Sequence, residues 1–137
     1  MINQELKSVL KEIEQSNGLP NRNYTDNIQY NIEKELLIFD QWAGAAVSDD
    51  IPNPGDAIPI TFLGVPLLLL KNEKRELKVF LNVCRHRGMI LINKPKNISG
   101  AIRCPYHSWC YSKDGNLIST PHVGGPGKNI HKGINKD

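Results

Sequence analysis

Two short segments of the sequence each place one cysteine close to one histidine. Cys84 and His86 are separated by one residue, Cys104 and His107 by two, and seventeen residues lie between the two pairs. Thiolate sulfur and neutral imidazole nitrogen are the ligands that bind iron and zinc in proteins. Each pair therefore offers one sulfur and one nitrogen ligand to a metal centre.

The order of these ligands favours one kind of metal centre over another. A Rieske-type [2Fe-2S] centre has two cysteines on one iron and two histidines on the other. Two loops that each supply one cysteine and one histidine therefore provide the complete ligand set. A Cys2His2 zinc site uses the same ligand types, but finger-like modules pair Cys with Cys and His with His on separate elements. The interleaved order favours the cluster, with a zinc site and four unrelated buried residues as the alternatives.

The remaining cysteine and histidines fall outside this pattern, and we assign none of them a function. Cys110 is predicted to be a small buried side chain, and His122 and His131 are predicted to be solvated in a Gly-rich tail. Three cysteines are an odd number, and two of them have metal-ligand spacing. The sequence therefore favours metal chemistry in a reducing compartment over a disulfide framework.

The segments that must position the ligands are predicted to be short antiparallel strands. In 77–83 the odd positions, Leu77, Val79, Leu81 and Val83, are all apolar, which predicts that their face is buried while Lys78 and Asn82 point outward. Asp114-Gly115 is a typical hairpin turn, because Gly tolerates a positive φ. The β-prone runs are 57–63, 65–70, 77–83, 101–103, 109–111 and 116–119.

Two helices are predicted before the strands, and irregular structure is predicted after them. Thr25 is the candidate N-cap of the second helix, and the tail from His122 has almost no apolar pattern. The apolar stripe of the first helix is Ile2, Leu6, Val9 or Leu10, and Ile13. The stripe of the second helix is Ile28, Ile32, Leu36 and Phe39.

Composition limits the classes of function. A chain of 137 residues with 39% hydrophobic residues suits one compact domain. Its net charge of +3 includes no basic run, so no nucleic-acid partner is predicted. The N-terminus is too polar for a signal peptide, and the longest apolar run, Val65 to Leu70, is too short to span a bilayer. The sequence therefore predicts a cytoplasmic protein without a membrane segment.

The two motifs, read with their surroundings, resemble the N-terminal Rieske domain of the large (alpha) subunit of Rieske non-heme iron ring-hydroxylating oxygenases. The resemblance covers about 24–125 and is carried by CRHRGMIL, by CPYHSWCYSKDGNL and by the lead-in with a helix before a Trp. Ser108 stands where the family usually has Gly, and Cys110 follows Trp109 where Cys is unusual. Neither departure removes a ligand.

The resemblance implies a mainly β fold: a Rieske iron-sulfur domain of small antiparallel sheets with one or two N-terminal helices. Cys84 and Cys104 would bind one iron of the [2Fe-2S] cluster, and His86 and His107 the other. The implied domains are a helical lead-in at 1–42, the Rieske domain at 43–125 and an irregular tail at 126–137. The family's Rieske domain usually continues with further strands, so the chain is expected to be an N-terminal portion without the catalytic domain.

The family's activity gives the expected partners. An NAD(P)H-dependent reductase or a ferredoxin would reduce the cluster, which would pass electrons to a mononuclear non-heme iron in the catalytic domain. This chain alone is then an oxidoreductase component that is not catalytically competent, and the full-length protein is expected to be a trimer-based homo-oligomer. The alternatives are a free-standing Rieske-type ferredoxin and a zinc-stabilised binding module.

The same motifs suggest a reduction potential. High-potential Rieske proteins resemble this sequence but have an extra cysteine in each loop, where Met89 and Tyr106 stand here. With no second cysteine pair and no obvious hydroxyl group aimed at the sulfurs, we expect a potential near roughly −150 mV, at the low end of the range.

Overall fold

The protein divides into two compact units. The computed structural model describes residues 4–130 and 132–134. The first unit ends at Gly44 and contains the α-helices, and the second begins at Ala45 and contains the strands. No helix in the described part of the chain is long and apolar enough to cross a membrane.

The first predicted helix is shorter than its apolar stripe indicates. A 3-10 helix, Gln4–Ser8, is followed by turns in which Leu10 and Ile13 are exposed. Ile2 lies outside the described residues. A short stripe without a buried surface to pack on gains too little from helix propagation to offset nucleation. The prediction of an amphipathic helix reaching Ile13 is therefore wrong.

The second predicted helix is present, with a different N-cap. Asp26, and not Thr25, is the N-cap, and its carboxylate accepts a hydrogen bond from the Ile28 N–H at 2.7 Å. A carboxylate suits this position because it satisfies a free N–H and is attracted by the helix dipole. The helices here are α1 (Arg22–Thr25) and α2 (Asn27–Glu33), and α2 continues directly into a π-helical turn (Lys34–Ile38).

The second unit contains two antiparallel sheets, which confirms the predicted mainly β fold. A 3-10 turn, Ser48–Asp50, precedes the strands. The first sheet has the order β3-β2-β1-β4 and the second has the order β5-β6-β7. The strands are β1 (Asp56–Phe62), β2 (Val65–Lys71), β3 (Leu77–Leu81), β4 (Lys96–Asn97), β5 (Ile102–Arg103), β6 (Cys110–Tyr111) and β7 (Leu117–Ser119). Only β4 was not anticipated from the sequence.

Strand β3 faces the opposite way from the prediction. Leu77, Val79 and Leu81 are each more than half exposed, whereas Asn82 just beyond the strand is only 2% exposed. The partly buried Phe80 packs against the core of the second unit. The sequence alternation identified the two faces of the strand correctly, but it assigned the core to the wrong one.

The hairpin between β6 and β7 lies against β3. The Ser112 N–H donates to the Asn116 carbonyl at 2.8 Å, and Gly115 has a φ of +88°, which confirms the predicted Asp114-Gly115 turn. A Cβ atom on Gly115 would lie 2.7 Å from the Phe80 ring. The absence of a side chain at this position lets the tip of the hairpin approach β3 closely.

The core of the second unit joins both sheets and includes two of the cysteines. Leu68 and Leu70 from β2 are fully buried in the same cluster as Cys84 and Cys104. The other buried members of this cluster are Ala57, Ile92, Ile98, Ile102, Trp109, Tyr111 and Leu117. The two cysteines therefore belong to the buried core of the second unit.

Gly55 is the glycine whose replacement should cost most stability. It has a φ of +87°, and a Cβ there would lie 2.6 Å from the Ile98 carbonyl oxygen. We expect Gly55→Ala to lower the free energy of unfolding by roughly 3 kcal/mol, since left-handed strain and a backbone clash add. Gly64→Ala is the matched control, with a φ of +86° but no atom within 4 Å, and should cost about 1 kcal/mol. Urea denaturation measures both variants. Equal losses of unfolding free energy in Gly55→Ala and Gly64→Ala would contradict the proposed clash with Ile98.

Candidate metal centre

Two loops carry the four predicted ligands. The first loop, 84–89, follows β3 and lies between Val83 and Ile90, which pair in an isolated bridge. The second loop, 104–109, connects β5 to β6, where Arg103 lies opposite Cys110. Each cysteine therefore stands at the point where a paired segment ends and a loop begins.

The two loops have the same pattern of backbone hydrogen bonds. In the first, the Cys84 N–H donates to the Met89 carbonyl at 2.8 Å and the Gly88 N–H donates to the Cys84 carbonyl at 2.9 Å. In the second, the Cys104 N–H donates to the Trp109 carbonyl at 2.8 Å and the Ser108 N–H donates to the Cys104 carbonyl at 3.1 Å. The two Cys-His pairs differ in spacing, but the loops that carry them have the same backbone hydrogen bonds.

Each loop uses a left-handed residue four positions after its cysteine. Gly88 has a φ of +69° and Ser108 has a φ of +58°. Glycine takes this conformation without cost, whereas a serine pays for its Cβ. The structure thereby gives a physical reason why a glycine suits the position that Ser108 occupies.

We expect Ser108→Gly to raise the free energy of unfolding by about 0.5 kcal/mol. The change removes left-handed strain of roughly 1–2 kcal/mol and adds about 0.5–1 kcal/mol of unfolded-state entropy. Ser108→Ala is the control, because it keeps a Cβ and should bring no gain. Thermal denaturation of the wild type, Ser108→Gly and Ser108→Ala measures the difference. A Ser108→Gly variant less stable than the wild type would contradict the proposed strain at Ser108.

The loops bury the sulfur ligands and expose the nitrogen ligands. Cys84 and Cys104 are each 2% exposed, whereas His86 and His107 are exposed. The two imidazole rings lie with their centroids 4.8 Å apart in an edge-to-face arrangement. The structure therefore places the two thiols in one buried cluster and the two imidazoles side by side toward solvent.

Aromatic side chains support both imidazoles. The buried Trp109 of the second loop stacks on His86 of the first, with centroids 4.6 Å apart and planes 7° apart. Tyr106 packs on its neighbour His107 with centroids 3.7 Å apart. Both aromatic residues pack over the loops, as predicted. The stack of Trp109 on His86 also connects the two loops directly.

The surroundings of His86 favour its neutral form. Loss of water around the ring lowers the pKa of His86 below its usual value, and the nearby His107 and Arg87 lower it further. Neutral imidazole has the free lone pair that binds a metal. The lowered pKa therefore favours the neutral form that a metal ligand needs.

A buried tyrosine contacts the first cysteine, which the sequence did not suggest. The Tyr111 Oη lies 3.3 Å from the Cys84 Sγ and accepts a hydrogen bond from the Arg85 N–H at 3.0 Å. Burial, and then the contact with Cys84, raise the pKa of Tyr111, so the phenol stays protonated. Because its oxygen already accepts from Arg85, its hydrogen is available to the Cys84 sulfur. The expectation that no hydroxyl is aimed at the sulfurs is therefore wrong.

The donor set fits a two-iron cluster. A [2Fe-2S] centre of this kind needs two ligands per iron, and the structure offers two buried thiols and two adjacent imidazoles. All three cysteines are free thiols. Within the described ranges, no three His, Cys, Asp or Glu residues are grouped to hold a single metal ion. The pairs of two sulfurs and two nitrogens do not require such a group.

Cys110 and His122 fall outside the ligand pattern. Cys110 is buried, as predicted, and its thiol donates to the Ser108 carbonyl at 3.2 Å. His122 is exposed in the tail, as predicted, while His131 lies outside the described residues. The described residues after Ser119 form turns and no helix or strand.

Comparison with known proteins identifies the same segment. Residues 41–129 match the family model of the Rieske [2Fe-2S] domain. The carnitine monooxygenase oxygenase subunit of Escherichia coli K12 is 34% identical over 99 residues, which are 72% of this chain and 26% of that protein. The benzene 1,2-dioxygenase subunit alpha of Pseudomonas putida is 34% identical over 110 residues, which are 80% of this chain and 24% of that protein.

Solved structures give the same result. A naphthalene 1,2-dioxygenase from Rhodococcus sp. bound to indole superposes with a TM-score of 0.74 at 30% identity, covering 86% of this chain and 27% of that one. A quaternary ammonium Rieske monooxygenase in complex with L-carnitine gives a TM-score of 0.68 at 30% identity, covering 72% of this chain and 28% of that one. The chain spans about a quarter of the length of the curated relatives that it matches.

Proposed function

This chain belongs to the Rieske [2Fe-2S] domain family, and we propose that it is the electron-transfer domain of an oxygenase large subunit. The thiolates of Cys84 and Cys104 hold one iron, and the imidazoles of His86 and His107 hold the other. The observation that carries this proposal is the pair of matching loops, each with a buried thiol and an exposed imidazole, whose two imidazoles are adjacent. When bound, the cluster takes up and releases single electrons.

The cysteines and the histidines of the site have different roles toward the cofactor. The buried cysteines keep their sulfurs away from water, and Tyr111 offers a hydrogen bond to one of them. The exposed histidines form the side of the site that another redox centre can approach. Trp109 holds the His86 ring from behind. The geometry thus supports electron exchange through the imidazole side.

The partners follow from the relatives. We propose an NAD(P)H-dependent reductase or a ferredoxin as the electron donor and a mononuclear non-heme iron of the longer protein as the acceptor. The names of the relatives, which include oxygenase subunits and dioxygenase alpha subunits, support this pairing. A trimer-based homo-oligomer of the longer protein is part of the same proposal. The relatives are named for carnitine, anthranilate, benzene and biphenyl, so we assign no substrate.

The proposed domain boundaries keep the sequence-based ranges. The helical lead-in is 1–42, the Rieske domain is 43–125 and the tail is 126–137. The division of the structure into units after Gly44 and the start of the family match at residue 41 support the first boundary.

Metal and sulfide analysis tests the proposed cofactor. Protein purified aerobically from iron-supplemented cells should be red-brown and contain two irons and two sulfides per chain. Reduction by dithionite should produce the electron paramagnetic resonance signal of a Rieske centre, because mixed Cys and His ligation defines that centre. Stoichiometric zinc without iron would instead support the zinc-stabilised module.

A further inference from the structure

The two ligand loops are closed at their base in different ways. At the second loop a strand pair does this, with Ile102 opposite Tyr111 and Arg103 opposite Cys110. At the first loop, the backbone pairing is limited to the isolated bridge of Val83 with Ile90. The first loop therefore has a shorter backbone pairing at its base than the second loop.

A buried side chain supplies this connection. The Asn82 amide oxygen accepts from the Ile92 N–H at 3.0 Å, and its amide nitrogen donates to the Ile92 carbonyl at 2.6 Å. The side chain thus pairs with both main-chain groups of Ile92, as a neighbouring strand would. Asn82 is 2% exposed and Ile92 is 3% exposed, so water is largely excluded from these bonds.

The backbone of Asn82 connects the same region to the first sheet. Its N–H donates to the Pro66 carbonyl at 2.9 Å, and its carbonyl accepts from the Leu91 N–H at 3.3 Å. One residue therefore joins β2 to both ends of the first loop, two positions before Cys84. A buried amide with both ends paired leaves costly unsatisfied groups when it is removed.

We propose that Asn82 is a positioning residue that holds the first ligand loop closed and so fixes His86 against the second loop. The inference rests on the proposed function, because it concerns the placement of a proposed ligand. His86 meets Trp109 and His107 of the second loop through ring contacts of 4.6 and 4.8 Å. If the side of the loop at 90–92 moves away from Asn82, His86 loses its fixed place while the second loop keeps its strand pair.

Asn72 offers a matched control. It is also 2% exposed, and its amide oxygen accepts from the backbone N–H groups of Lys74 and Glu76 at 3.0 and 2.8 Å. Its amide nitrogen donates to the side chains of Glu76 and Asp114 at 2.8 Å each. Asn72 lies beside Glu76 at the start of β3 and Asn82 lies just beyond its end, roughly 20 Å apart at 3.3 Å per residue. Both residues are buried, fully bonded asparagines, but only one closes a ligand loop.

The experiment compares Asn82→Leu with Asn72→Leu in the full chain, by hydrogen–deuterium exchange and mass spectrometry. We expect Asn82→Leu to accelerate exchange in 82–92 by roughly tenfold or more, while 103–111 keeps its wild-type rate. In Asn72→Leu the faster exchange should remain around 71–77 and the turn at 112–116, where the hydrogen-bond partners of Asn72 lie. Equal acceleration of both ligand loops by Asn82→Leu would overturn the proposal, because it would show a general loss of stability.

Cofactor retention is the second readout. With excess iron chelator, iron-loaded Asn82→Leu should lose its visible absorbance roughly tenfold faster than wild type, and Asn72→Leu should match wild type. Equal rates in the two variants would overturn the proposal. If Asn82→Leu does not fold, Asn82→Ser, which keeps a small polar group, is judged by the same criteria. A wild-type chain that binds no iron or sulfide would refute the proposed function, yet the exchange comparison would still test the loop.

Discussion

We expect His86→Ala and His107→Ala each to abolish the Rieske electron paramagnetic resonance signal of the reduced protein. Each imidazole is one of only two nitrogen ligands proposed for one iron, so its loss destroys the ligand set that defines the centre. The two rings lie side by side, and no third histidine stands in either ligand loop to replace them. Spectroscopy at low temperature, together with iron analysis, measures the result.

The matched control for these variants is His122→Ala. His122 is exposed in the tail and belongs to neither loop, so its replacement should leave the signal and the iron content unchanged. An unaltered Rieske signal in either His86→Ala or His107→Ala would show that the assigned ligand is wrong. Loss of signal in the His122 variant would show that the tail, and not the two loops alone, contributes a ligand.

The second large effect should follow from Tyr111→Phe, which we expect to lower the midpoint reduction potential by roughly 50 mV. Reduction adds negative charge, and a hydrogen bond donated to the Cys84 sulfur stabilises that charge. A differential stabilisation of about 1 kcal/mol corresponds to roughly 40 mV for one electron. The hydroxyl is within reach of the Cys84 sulfur at 3.3 Å. A redox titration followed by visible absorbance measures the shift.

Tyr106→Phe provides the comparison. Its ring packs on His107 but is 57% exposed, and removal of its hydroxyl should leave the potential close to the wild-type value. A potential that stays unchanged in Tyr111→Phe, or that rises, would contradict the direction of the hydrogen bond that we infer. The expectation of a potential near roughly −150 mV assumed that no hydroxyl group acts on the sulfurs, and Tyr111 contradicts that assumption.

The candidate site could be proposed from the sequence because its information is local. Each cysteine lies within three residues of its histidine, and both pairs stand at the ends of short apolar runs. Tyr111 could not be identified in the same way. It follows Cys104 by seven residues, yet it contacts Cys84 on the other loop. Only the packing of the two sheets brings these residues together.

The errors in the fold have a related cause. Alternation along β3 separates two faces, but it cannot show which face is covered when each includes an apolar residue. Phe80 packs toward Gly115, and Asn82 replaces a strand pairing with its side chain. Those partners are distant in sequence. Similarly, Thr25 and Asp26 are both acceptable helix caps, and only the backbone geometry at Asp26 decides between them.

The reversed face of β3 has a consequence for the behaviour of the protein in solution. The strand lies at one edge of its sheet and presents the apolar side chains of Leu77, Val79 and Leu81 to water. An uncovered edge with such a face is a template for pairing between molecules. The net charge of +3 provides little mutual repulsion. We therefore expect association of the purified chain to increase with its concentration.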